Sequence, residues 1–69
     1  MEFTKIERRR IELKAYANAI KCLNNELNYE LNVISGKYNW PTERDIEIAK
    51  IRCETLNTII NNLENEALK

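Results

Sequence analysis

Between Ile46 and Ala67 the apolar residues Ile46, Ala49, Cys53, Leu56, Ile60, Leu63 and Ala67 are spaced 3, 4, 3, 4, 3, 4, with mostly polar residues between them. That is the heptad rhythm of a helix with one continuous apolar stripe, and it excludes a strand, whose side chains alternate with a period of two. The first half of the chain repeats the theme. Ile6, Leu13, Ile20, Leu27 and Ile34 recur every seven residues, and Tyr16, Ala17, Leu23 and Leu31 occupy flanking positions.

The two stretches are separated by Ser35-Gly36-Lys37-Tyr38-Asn39-Trp40-Pro41-Thr42, which contains the only Gly and the only Pro of the chain. Gly36 suits the left-handed position just past a helix C-terminus. Thr42 and Asp45 form an [ST]-x-x-[DE] capping pattern, and Pro41 at a first helical position marks a competing boundary two residues earlier. The pattern therefore predicts an all-α, antiparallel αα-hairpin in a single domain, residues 1–69. Its first helix covers about 3–35, its turn 36–41 and its second helix about 42–68. At 1.5 Å per residue the helices are roughly 50 and 40 Å long.

Antiparallel partners in such a hairpin have residue numbers with a constant sum. A sum of 80 pairs Ile34 with Ile46, Leu27 with Cys53, Ile20 with Ile60 and Leu13 with Ala67, and brings Leu31 to Ala49 and Ala17 to Leu63. One register satisfies every layer. It leaves apolar residues over on the opposite sides, with Ala15 and Ala19 among them. Ile11, Cys22, Tyr29 and Val33 on the first helix and Ile48, Ile51 and Ile59 on the second form the expected partner or oligomer interface. A dimer of hairpins in a four-helix bundle, or a larger helical oligomer, would cover them.

Charge adds little to this picture. Eleven basic and eleven acidic residues cancel, so no net field draws the chain to nucleic acid or an anionic membrane. Residues 1–21 are the basic part, with six basic against three acidic side chains. There Arg8, Arg9 and Arg10 are expected to meet the negative end of the second helix dipole, beside Glu64 and Glu66. Their alternative use, with Lys14 and Lys21, is contact with an anion or nucleic acid; small hairpin dimers include plasmid-encoded RNA-binding regulators. Tyr38 and Trp40 are expected to cap the core at the turn, or, with Arg44, to anchor a partner at the tip.

Catalytic chemistry is not encoded in any recognisable form. The chain has no His and only two Cys, thirty-one positions apart, so neither a nucleophile–base pair nor a zinc spacing exists. No catalytic residue, metal ligand or cofactor is assigned. A disulfide between Cys22 and Cys53 is disfavoured, because the register sets them about 7 Å apart along the axis and Cys22 on the outer face. No apolar run reaches the ~18–20 residues of a membrane span, and a cytoplasmic location is expected. The segment Arg52-Cys53-Glu54-Thr55-Leu56-Asn57-Thr58-Ile59-Ile60 resembles the S-x-x-L-D signature of the small helical-hairpin aspartyl-phosphate phosphatases of sporulating bacteria. Cys53 stands for its Ser and Asn57 for the acid on which that activity depends, so the activity is not carried over. The expected function is a non-enzymatic protein-interaction module, a regulator or inhibitor of a larger protein that also self-associates. The alternatives are a nucleic-acid-binding hairpin dimer and an oligomeric binder of a small anionic ligand.

Overall fold

The computed structural model describes residues 2–69: two helices, α1 (Lys5–Ile34) and α2 (Glu43–Ala67), packed against each other as an all-α hairpin 52 Å long. Each helix begins at a reciprocal capping box. Thr4 Oγ1 accepts from the Glu7 N–H at 3.1 Å while Glu7 Oε1 accepts from the Thr4 N–H at 3.2 Å. Thr42 and Asp45 repeat the exchange at 3.3 and 2.9 Å. These bonds satisfy amides that have no partner inside the helix, which fixes both starts to the residue. Thr42, not Trp40, is therefore the cap of α2, and Pro41 lies just outside it. At the end of α1, Gly36 turns left-handed with φ 85° and the Lys37 N–H returns to the Asn32 carbonyl at 3.2 Å, a Schellman closure.

The α2 stripe packs as its spacing predicts, with Ala49, Cys53, Leu56 and Ile60 buried and Ile46, Leu63 and Ala67 half-buried. On α1 the packed face is rotated from expectation. Tyr16, Ile20, Leu23, Leu27 and Ile34 line it, as do Ala19 and Val33, but Ala17 and Leu31 are exposed and Glu30 takes the inward position with only 4% exposure. The contacting positions 16, 20, 23, 27, 30 and 34 keep the 4, 3 rhythm of α2. Two heptad stripes dock by aligning their rhythms, and this places Leu31 about 100° past Glu30.

Polar ties locate the register. Arg52 reaches Glu30 near the turn, and Arg9 reaches the carbonyls of Glu66 and Ala67 at the open end. Their numbers sum to 82 and to 75–76, on either side of 80. Leu13, five helical turns before Leu31 on the same line of α1, is exposed by the same rotation; Ile6 stays exposed because α2 has ended and Arg9 fills the last inward position of α1.

Candidate interaction surface

At 100° per residue, Ile11, Ala15, Cys22 and Tyr29 lie roughly 95–135° to one side of the packed face of α1, and Ile48, Thr55 and Ile59 lie roughly 80–120° to one side of that of α2. The ion pair between Arg52 and Glu30 (3.4 Å) joins these same flanks, since Arg52 stands four residues after Ile48 and Glu30 eleven after Ala19. The two sets of apolar residues therefore lie on one side of the hairpin. Ile11, Cys22, Tyr29, Ile48, Ile51 and Ile59 are all exposed there, Ile51 at its outer edge. The other side is polar on α2, with Lys50, Asn57 and Asn61 exposed, and mixed on α1, where Ile6, Leu13, Ala17 and Leu31 are exposed among Lys14, Lys21, Asn25 and Asn28.

Val33 does not belong to the free surface. It is 3% exposed. The turn accounts for this: Tyr38 is half-buried with its ring 6.0 Å from that of Tyr29, one helical turn before Val33, so the loop lies across this flank of α1. Trp40 stacks on Tyr38 at 6.2 Å but is itself exposed. Tyr38 thus covers the core, as one of the two expected readings has it, while Trp40 projects from the tip.

The arginine run is likewise divided. Arg9 donates to the Glu66 carbonyl at 3.3 Å and the Ala67 carbonyl at 3.0 Å, and pairs with Glu12 at 3.2 Å. It satisfies carbonyls left open at the end of α2, where the helix dipole favours a cation. Arg8 borders a shallow surface depression with Glu2, Phe3, Ile11 and Glu12. Arg10 and Lys14, one turn apart, face away from both, so the basic side chains do not converge on one anion site.

Glu30 stands four residues after Glu26, an acidic i, i+4 pair of the kind that usually marks a solvated face. Its inward position puts a carboxylate beside Cys53. Burial first, and the charge of Glu30 second, push the Cys53 thiol above its ordinary value of 9.0. A thiol held protonated in a packed seam is a poor nucleophile. Both cysteines are free, Cys22 exposed and Cys53 buried. In the segment resembling the phosphatase signature, Cys53 therefore serves packing and Asn57 faces outward. Among the described residues no helix is long and apolar enough to cross a membrane.

No protein family matches the chain, and no curated protein or solved structure is significantly similar to it.

Proposed function

We propose that the chain is a small non-enzymatic protein-interaction module whose hairpins associate through the apolar residues that a lone hairpin leaves exposed, the assembled body then regulating or inhibiting a larger protein by occupying its surface. The observation that carries this reading is the amount of large apolar side chain left in water: Ile11, Tyr29, Ile48, Ile51 and Ile59 are exposed on the flank that also holds Cys22, and Ile6, Leu13 and Leu31 on the opposite flank of α1. Single exposed apolar residues are ordinary, but this many large ones on so small a domain point to an association surface.

Light scattering across a concentration series tests it. The expected mass is a multiple of 8.2 kDa, and Ile51→Asp or Ile59→Asp should return the single-chain mass with helicity largely kept. Ile60→Asp, which places a carboxylate in the buried seam, should instead unfold the chain. A wild-type protein that keeps the single-chain mass throughout overturns self-association. Equal loss of helicity from all three substitutions overturns the division into seam and free face.

A further inference from the structure

The apolar residues of α1 lie on two overlapping stripes. One is the packed stripe of Tyr16, Ile20, Leu23, Leu27 and Ile34, with Glu30 among them. The other is the strict heptad of Ile6, Leu13, Ile20, Leu27 and Ile34, with Ala17 and Leu31 beside it. Ile20, Leu27 and Ile34 belong to both. At 100° per residue the midlines of the two stripes are about 60° apart, so a turn of α1 by that angle about its own axis exchanges them.

The exchange is close to even in apolar content. It takes in Leu13 and Leu31, which are 38% and 47% exposed, and gives up Tyr16 and Leu23, which are half-buried. It also frees the Glu30 carboxylate from the seam, where a charge is costly. The facing side chains of α2 admit either arrangement. Ala49 and Cys53 are small enough to lie against the Glu30 stem in one packing and against Leu31 in the other, since Leu31 is level with Ala49 in the register that sums to 80.

The connection between the helices permits the turn. The Lys37 N–H is bonded to the Asn32 carbonyl and the Tyr38 ring rests against Tyr29, so the chain as far as Tyr38 is tied to α1. The bonds of α2 begin at Thr42, and Asn39, Trp40 and Pro41 between them make no backbone–backbone hydrogen bond. Of the two polar ties across the seam, only one resists. Arg9 lies midway between the two midlines and stays near the Glu66 and Ala67 carbonyls in either packing. Glu30 goes from about 30° off the midline to about 90°, which draws its carboxylate out to the flank and away from Arg52.

We propose that α1 has two packings on α2, related by a turn of about 60° about its own axis, and that the Glu30–Arg52 pair is the latch that holds the observed one. Packed helices switch between discrete arrangements rather than deforming continuously. The turn moves apolar surface from one flank of α1 to the other, withdrawing Leu13 and Leu31 and bringing out Leu23 and Tyr16. The latch thereby decides which apolar surface the hairpin presents, whether or not it self-associates.

Two alanines report the turn. Ala17 is exposed and Ala19 half-buried, each about 50° from the midline of one stripe and about 110° from that of the other, so the turn exchanges their surroundings. Ala17→Cys and Ala19→Cys are made singly in Cys22→Ser, where the remaining native thiol, Cys53, is buried, and their labelling by a maleimide is timed with native Arg52 and with Arg52→Glu. Position 52 is some 14–16 Å from both along the axis, beyond the roughly 10 Å Debye length at 0.1 M salt, so its charge does not act on the thiols directly. Arg52→Glu should slow labelling at 17 and speed it at 19, each several-fold, with the helical circular dichroism kept. Adding Glu30→Leu, which removes the repulsion and fills the observed stripe, should return both rates to those of native Arg52. Arg52→Ala should move both rates in the same directions, and replaces Arg52→Glu if that variant unfolds. Faster labelling at both positions means a loosened seam, and unchanged rates at both mean an unmoved helix; either overturns the second packing. Altered rates that survive Glu30→Leu overturn the pair as its latch.

Discussion

Glu30 and Arg52 form the one tie between the helices in which a buried charge depends on an exposed one, and removing the exposed partner tests the packing of α1. The Glu30 side chain is 6% exposed and that of Arg52 62%, with 3.4 Å between Oε1 and Nη1. A fully exposed pair contributes about 0–1 kcal/mol, and breaking a fully buried one costs roughly 3–5 kcal/mol because a charge is left stranded. The half-exposed geometry and long contact put Arg52→Ala between these limits, at about 2 kcal/mol. Glu30→Leu should act in the opposite direction. It removes a desolvated carboxylate and completes the apolar rhythm of Leu23, Leu27 and Ile34, stabilising the chain by roughly 1–2 kcal/mol. For a chain of this size each kcal/mol corresponds to about 4–8 °C in Tm.

In the Glu30→Leu background, Arg52→Ala should cost under about 0.5 kcal/mol, as an ordinary surface substitution does. The double-mutant cycle therefore has an expected coupling of about 1.5 kcal/mol. Urea unfolding followed by far-ultraviolet circular dichroism, at one fixed protein concentration because association adds to apparent stability, measures all four corners. If Arg52→Ala costs the same in both backgrounds, or if Glu30→Leu destabilises, Glu30 is not held in the seam by Arg52 and the rotated packing of α1 is wrong.

Three further outcomes are expected. A Cβ at Gly36 would meet no atom within 4 Å, so Gly36→Ala should cost only the left-handed backbone penalty of about 1 kcal/mol and Gly36→Asn less; a neutral Ala in the same unfolding assay would refute the Schellman closure. Asp45 is held below its ordinary 3.8, first by the Thr42 N–H, then by the Thr42 hydroxyl, with Arg44 adding to the effect. A lowered carboxylate stabilises above its unfolded value and loses that contribution as pH falls through the folded one, so helicity should decline in this acid range and Asp45→Asn should flatten that part of the titration. Thiol labelling of native protein should modify Cys22 promptly and Cys53 at least about 100-fold more slowly, because Cys53 reacts only through opening of the seam; equal rates at both would contradict its burial.

Most of the hairpin was readable from spacing. The unbroken rhythm of α2 has no competing periodicity, and the Gly36 and Thr42 signals act through local backbone chemistry that tertiary packing does not override. The capping box of α1 was equally local: Thr4 and Glu7 carry the same pattern as Thr42 and Asp45. The rotation of α1 was not readable by counting apolar residues, since Leu31 is apolar and Glu30 is not. What decides it is the partner. Opposite Glu30 the α2 stripe offers Ala49 and Cys53, small side chains that leave room for the glutamate stem while the carboxylate reaches outward to Arg52. Val33 was misplaced for a related reason, because its covering comes from Tyr38, in a turn whose path has no periodicity to read.

The rotation bears on the association proposed above. The inward face of α1 has Arg9 at one end and Glu30 near the other, so the large apolar side chains of the seam are confined to the levels between Tyr16 and Ile34. Among the described residues no large side chain is completely buried. A chain of this size gains little more than about 3–5 kcal/mol from its own core, which is the range that backbone entropy readily offsets. In a lone hairpin Ile48 and Ile59 keep 36% and 40% of their surface in water and Ile51 62%. The proposed assembly would add to the stability of a hairpin that folds by itself, so the midpoint of unfolding should rise with protein concentration in the wild type and stay constant in Ile51→Asp.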